Sequence, residues 1–244
     1  MFIVKSKYRV VRVLTAQRDY AALEAVNIEE RNNTEVLLNV YEGESKKRYI
    51  RLFSAFTGCR DFVECFISDE SFVAAFKLTE GDEIDEVFNL DSKFSPEDRI
   101  YYADRLLGEL LRIADLPYDI SCSVMLSENI LFDLGSRDVR FRWRIEPLPE
   151  ANERELNCLV GDQLDKIFPR RVCSADSERR FIDTLKSGKF TSFSALYSYW
   201  LEEKTRIEDE YRMIGQKNAI AKYIYYFWHY LKRKFGKKTP NGHN

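Results

Sequence analysis

Only two histidines occur in the 244-residue chain, His229 and His243, both among the last sixteen residues. A Ser/His or Cys/His nucleophile pair needs an imidazole base in the folded body, and a histidine-containing zinc or iron site needs one as ligand. Residues 1–228 supply neither. The five cysteines, Cys59, Cys65, Cys122, Cys158 and Cys173, are odd in number and match no zinc ribbon, finger or Cys-x-x-Cys spacing, which reads as reduced, structural thiols. The acidic groups Glu29/Glu30, Asp69/Glu70, Glu202/Glu203 and Glu208-Asp209-Glu210 have the chemistry for proton transfer or metal binding, but solvated turns and helix faces account for them more simply. Arg140, Arg142 and Arg144 alternate, so on one strand they share a face. That face is either an anion-binding stripe or the solvent side of a strand whose Val139, Phe141 and Trp143 point inward. No metal and no cofactor is expected.

The formal charge of −2 conceals a division. Seven of the 38 Lys and Arg residues and none of the 40 acids lie in residues 214–244, which leaves 31 cations against 40 anions before them: −9 in the body and +7 in the tail. Within the tail, Ile220, Ile224, Phe227, Trp228, Leu231 and Phe235 recur at helical spacing, with lysines and arginine around both ends. Such a segment suits a membrane interface, a partner's groove or nucleic acid, or is simply the last core helix with a solubilising end. Lys217, Trp228, Lys232, Arg233 and Lys234 are the candidate partner-binding residues. Another protein is the expected partner and an anionic membrane surface the alternative. Nucleic acid is disfavoured by the −9 body.

The longest charge-free apolar run there, Tyr223 to Leu231, is nine residues, where a membrane span needs about twenty. Met1 to Tyr8 carries charges without a long apolar stretch, unlike a secretory leader. A cytoplasmic, or membrane-peripheral, location is expected.

With 45% hydrophobic and 32% charged residues and only 10 Gly and 6 Pro, the chain is a packed globular protein, one domain or one two-lobed domain with a tail. Strands are expected at Tyr8–Leu14 and Thr34–Tyr41, a short helix over Ser45–Phe56, and a hairpin of Asp61–Ile67 and Phe72–Phe76. A change of class follows at Leu78-Thr79-Glu80-Gly81. Ser95-Pro96-Glu97-Asp98 opens a helix to about Ala114. A hairpin joins Ile130–Phe132 to Val139–Trp143, and helices are predicted at Arg154–Phe168, Ser177–Leu185, Ser192–Arg212 and Gln216–Phe235. The resulting divisions are 1–80, β-rich with one helix; 81–213, helical; and 214–244, a basic aromatic helix and tail.

This order of elements resembles the protein-kinase fold, and Met125-Leu126-Ser127-Glu128-Asn129-Ile130-Leu131-Phe132-Asp133 resembles the end of the kinase catalytic loop and the strand after it. Phe72-Val73-Ala74-Ala75-Phe76-Lys77-Leu78-Thr79-Glu80-Gly81 looks like the fifth kinase strand running into the hinge. The likeness covers roughly residues 8–205. It implies an α+β, two-lobed kinase-like fold with a small β-rich N-lobe, a helical C-lobe and a truncated activation segment, because little chain separates Ile145 from the helix near Leu156.

The chemistry that the resemblance would bring is missing at each matched position. The phosphate-covering stretch Thr15–Ala22 has no glycine, Asn39 stands for the strand lysine, and the catalytic-loop triad falls on Cys122, Ser123 and Val124. Trp143-Arg144-Ile145 takes the metal-binding position. Asn129 alone is kept, and a capping amide explains it. The expectation is a degenerate kinase-like domain, a pseudokinase similar to those of bacterial secretion and signalling, acting as an interaction, scaffold or regulatory module without catalysis. The alternatives are a diverged nucleotide-dependent enzyme on the same scaffold and a membrane adaptor anchored by the tail.

Overall fold

The computed structural model describes residues 3–30, 33–54, 56, 59–89, 92–169, 174–190 and 192–235, with side chains of the last helix as far as Lys232. The first part is one antiparallel sheet of β1 (Ile3–Val4), β2 (Tyr8–Ala16), β3 (Tyr20–Asn27), β4 (Glu35–Tyr41), β5 (Phe62–Ser68) and β6 (Ser71–Lys77), ordered β1-β2-β3-β4-β6-β5. Helix α1 (Gly43–Ser54) links β4 to β5. Strand β4 is buried on both faces: Val36 and Leu38 point to one, Leu37, Asn39 and Tyr41 to the other. The second face packs on Tyr49 and Phe53 of α1, the inward side of the amphipathic helix expected there.

The sheet curls until its two ends meet. Tyr8 of β2 stacks on Phe66 of edge strand β5, with centroids 5.9 Å apart, and Lys5, Lys7 and Tyr8 all donate to the Glu64 carboxylate at 3.0, 2.6 and 2.6 Å. The edge that would otherwise invite another strand is thereby partly shielded.

The chain then crosses through Leu78–Gly81 into the helical part. Gly81 has φ of +154°, and a Cβ there would sit 3.1 Å from the Phe132 carbonyl oxygen, so glycine is what allows this close passage. β7 (Asp82–Glu83) joins β8 (Ile130–Asp133) and β9 (Asp138–Phe141) in a three-stranded sheet. The helices are α2 (Ile84–Val87), α3 (Pro96–Leu110), α4 (Tyr118–Val124), α5 (Glu153–Ile167), α6 (Asp176–Lys186), α7 (Phe193–Gly215) and α8 (Ala219–Phe235). Ser95 Oγ caps α3 by accepting from the Asp98 amide. The helix ends before the predicted Ala114 because Arg112 and Ile113 donate to carbonyls three residues back, tightening the chain so that Ile113 enters the core.

Four elements lie outside the sequence-based expectation: strand β3, the short strands β1 and β7, and α4. β9 is also shorter than predicted, stopping at Phe141: the Arg142 amide still donates to Asn129 O at 2.8 Å, but Asn129 closes the 3-10 turn Ser127–Asn129, so the pairing goes no further. Among the described residues no helix is long and apolar enough to cross a membrane.

Glu64 yields a pH prediction. Burial by itself would raise its pKa, but the bonds from Lys7, Tyr8 and Lys5 outweigh it and bring it from the usual 4.5 down to about 2. A depressed folded-state pKa means that the stabilisation is complete above the unfolded value and is lost as pH falls toward 2. Glu64→Gln is therefore expected to be less stable than wild type at neutral pH, with the gap closing between about pH 5 and pH 2. Urea unfolding followed across that range checks it.

Candidate functional site

The two parts of the molecule meet at Asn39. Its side chain is fully buried, and all of its polar contacts cross the cleft or line it. Nδ2 donates to Trp143 O at 2.9 Å, while Oδ1 accepts from the Ile145 amide at 2.7 Å and from Tyr20 Oη at 2.8 Å. Tyr41, two residues along β4 on the same face, donates to Ile145 O at 2.8 Å. Tyr49 of α1 stacks on Tyr41 with centroids 4.1 Å apart and reaches Glu146 O at 3.4 Å. Burial drives the phenols of Tyr20 and Tyr41 well above their ordinary pKa and raises Tyr49 to about 12, so all three stay neutral donors.

Trp143 closes the next layer. Its ring stacks on Phe76 at 5.4 Å, lies edge-on to Phe56, and donates from Nε1 to Asp61 at 3.3 Å. From below, Asn129 Nδ2 donates to Ser123 O and Arg144 O at 2.7 and 2.8 Å, and Ser123 Oγ bridges Arg144 O and the Glu146 amide. The buried Oδ1 of Asn129 has no hydrogen-bond partner among the described residues. Asn39, Trp143, Asn129 and the segment 142–146 thus form one connected polar spine, with buried Val124 beside it in the last turn of α4.

Several expected placements change. The phosphate-covering stretch is reduced to a turn at Gln17-Arg18-Asp19, since Thr15 and Ala16 end β2 and Tyr20 begins β3. Cys122, Ser123 and Val124 belong to α4 rather than to an open loop, because Pro117 starts a helix whose Ser121 Oγ is satisfied by the Leu116 and Pro117 carbonyls. The arginine stripe does not form. Only Arg140 lies on β9, paired with Asp133 and Asp138, while Arg142 bonds Glu83 at 2.7 Å and Arg144 pairs with Glu128 and Glu146. Each guanidinium has its own carboxylates, so no shared anion site remains. The inward side of that reading holds, with Val139, Phe141 and Trp143 all buried.

Toward the hinge the cleft opens into a cavity of about 580 Å³ lined by both lobes. Its roof carries the bidentate Arg12–Glu24 pair at 2.9 and 2.5 Å, and Glu35 and Arg142 complete a charged rim. Flat apolar ligands need apolar walls above and below, and here a salt bridge occupies the upper one. Among the described residues no three His, Cys, Asp or Glu side chains converge as metal ligands would. Cys59, Cys65 and Cys122 are free thiols whose pKa burial raises, Cys122 to about 11, and Cys173 lies outside the described residues.

This cleft lies where a kinase holds its nucleotide. The fold is protein-kinase-like. The crystal structure of the Mycobacterium tuberculosis PknI kinase domain superposes with a TM-score of 0.57 over 83% of this chain and 98% of that one, at 11% identity. Two double mutants of the same domain give 0.55 and 0.58, also at 11% identity. No protein-family profile and no curated protein sequence matches the chain.

In kinases the strand lysine is paired with a glutamate of the helix corresponding to α1. Here α1 presents Tyr49 inward, and its one carboxylate, Glu44, lies exposed beside Lys47. Tyr20, Tyr41 and Tyr49 are the cleft residues that sequence reasoning missed. The signal available was an unusual tyrosine count, 14 in all, with Tyr41 two residues from Asn39 on the same strand face.

The tail candidates lie elsewhere. Lys217 sits in the turn between α7 and α8, 5.8 Å over the Tyr225 ring, and Trp228 and Lys232 are exposed on α8. Arg233 and Lys234 fall on α8, but their side chains are outside the described residues, as are Lys237, Lys238 and His243.

The spine makes a stability prediction. Asn39→Leu keeps the volume but strands the Ile145 amide, the Trp143 carbonyl and the Tyr20 hydroxyl in a buried cleft. A loss of about 2–4 kcal/mol is expected, measured by denaturant unfolding, with Tyr41→Phe costing less because it strands one carbonyl only.

Proposed function

We propose that this kinase-like fold works without catalysis, as a module that binds another protein in signalling or in the assembly of a larger machine. The observation that carries the reading is Asn39: a neutral amide takes the lysine position and spends its hydrogen-bonding capacity closing the cleft. Phosphoryl transfer is positioning plus electrostatic stabilisation, with lysine and metal ions offsetting the phosphate charge. At the corresponding places stand Asn39, Tyr49, Val124 and Trp143. Arg144, 14% exposed and committed to Glu128 and Glu146, would oppose a magnesium ion rather than hold it. The segment joining Ile145 to α5 is also short, residues 146–152, leaving little platform for a peptide substrate.

A second reading, a diverged nucleotide-dependent enzyme, is favoured by the cavity at the hinge and the unpaired Oδ1 of Asn129. Its cost is clear: the Arg12–Glu24 pair would have to separate, and one neutral amide oxygen would stand alone against a divalent ion.

Thermal denaturation with Mg·ATP separates the two. A ligand of Kd about 10 µM at about 1 mM contributes about 2.7 kcal/mol, which for a chain of this size raises Tm by roughly 5–10 °C. The expected shift is below about 1 °C, with no γ-phosphate transferred to the chain or to a general acceptor protein. A shift of the larger size that Asn129→Ala abolishes, or measurable transfer, would overturn the inactive reading.

A further inference from the structure

Helix α8 is held in one rotational setting, with its apolar stripe turned away from the body. Tyr225 Oη donates to Glu210 Oε1 at 2.7 Å, His229 Nδ1 pairs with Asp176, and the Tyr225 and His229 rings lie 4.2 Å apart. The other Glu210 oxygen accepts from the Ser177 amide and hydroxyl at 3.0 and 2.5 Å. Burial opposes the ionised form of Glu210, yet the bonds from Ser177 and Tyr225 hold its pKa below the usual range, so the latch is charged at neutral pH. Lys222, Tyr225, Tyr226 and His229 consequently face inward and are half-buried.

The opposite side carries Ile220, Tyr223, Ile224, Phe227 and Trp228, which are 49–73% exposed. Their spacing makes one continuous stripe along the helix. Exposed apolar residues scattered singly need no explanation, but a contiguous stripe of this kind marks a contact surface.

Three properties choose the occupant. Residues 214–244 carry seven cations and no acid, which complements an anionic surface and makes a second copy of the same tail electrostatically unfavourable. Trp228 and Tyr223 among Ile and Phe are the mixture that settles at headgroup depth, where one end of the ring is dry and the other wet. The helix has 17 residues and is neither long nor apolar enough to cross, so it suits lying in the plane of the interface. We propose that α8 is an in-plane anchor that docks this module on an anionic lipid bilayer. The −9 body is repelled by the same surface, so the docked molecule is oriented with its helical end down and its cleft away from the lipid.

The inference stands whether or not the cleft binds nucleotide, because the two surfaces are read by different assays. The experiment uses the whole chain with vesicles of phosphatidylcholine containing about 30% phosphatidylserine, and with phosphatidylcholine alone. Trp143 and Trp200 are buried and Trp228 is 67% exposed, so emission changes report on Trp228. The expected result is co-sedimentation with the anionic vesicles only, a blue shift of the Trp228 emission, and weakening by added salt. Ile224→Ser with Phe227→Ser should weaken binding at least tenfold, and Lys232→Gln about fivefold. These side chains are exposed, so an unchanged Tm verifies that the variants fold. Failure to bind, equal binding to neutral vesicles, or a dimer in sedimentation velocity that Ile224→Ser dissolves would overturn the proposal, the last by assigning the stripe to a second copy.

Discussion

Asn39 makes three hydrogen bonds while fully buried, and most of the cleft follows from them. Two of its partners, Trp143 O and the Ile145 amide, are main-chain groups of the irregular segment after β9. Irregular backbone in a protein interior must find partners or cost about 1–3 kcal/mol for each group left over. A lysine on β4 could serve only one of these groups and would bring a charge needing a carboxylate, which α1 does not present inward. The amide can donate and accept at once, so it joins the lobes where the lysine of an active kinase is reserved for ligand. Tyr20, Tyr41 and Tyr49 fill the remaining volume with rings, Tyr41 and Tyr49 satisfying the Ile145 and Glu146 carbonyls and Tyr20 donating to the Asn39 oxygen.

The same accounting explains the ion pairs around the cleft. At the rim the largely exposed Arg12 pairs with Glu24, and further in Arg142 with Glu83 and Arg144 with Glu128 and Glu146 each neutralise a charge that would otherwise face a half-buried interior. Breaking one by removing a partner leaves an uncompensated charge, which costs more than the pair contributes. A ligand entering from the hinge would meet groups already committed to one another rather than groups awaiting a substrate.

Much of the architecture was legible because it rests on local chemistry. Ser95 and Pro96 announce α3, the Tyr49/Phe53 spacing announces α1, and Glu128-Asn129-Ile130-Leu131 locates the catalytic-loop position. Asn39, Val124 and Trp143 were readable as substitutions for the same reason, since position along a known order of elements suffices to find them. What the substitutions do instead was not readable. The bonds of Asn39 to the 143–145 backbone reach residues about a hundred positions away, and nothing at Tyr41 or Tyr49 signals that their hydroxyls end on the same stretch of backbone. Strand β3 escaped because its alanines, Ala21, Ala22 and Ala25, carry little strand propensity; pairing on both sides imposes the conformation. The arginine alternation misled because period two implies a shared face only while the strand continues, and Asn129 ends it at Phe141.

Amphipathicity misleads in a similar way at α8. The period of a helix states that one face is apolar but not which face meets the protein, and the usual assumption that it is the apolar one holds only where uncovered core is waiting. Here the core of the helical lobe is closed without α8: Phe168, Phe181, Leu196, Trp200 and Ile207 are buried against one another, and Trp200 is satisfied by Asp104 at 2.8 Å. Where Tyr225 and His229 meet them, α6 and α7 offer the carboxylates of Asp176 and Glu210. A helix docking there is captured by its hydroxyl and imidazole groups, because Tyr225 and His229 gain charge-assisted hydrogen bonds while Ile224 and Phe227 would desolvate two carboxylates and gain no partner. The outward stripe is therefore a consequence of a core already complete and an acidic shelf beside it. The acid that turns the helix over leaves its hydrocarbon on the outer side, on a helix that also exposes Lys232, the combination that an anionic interface selects.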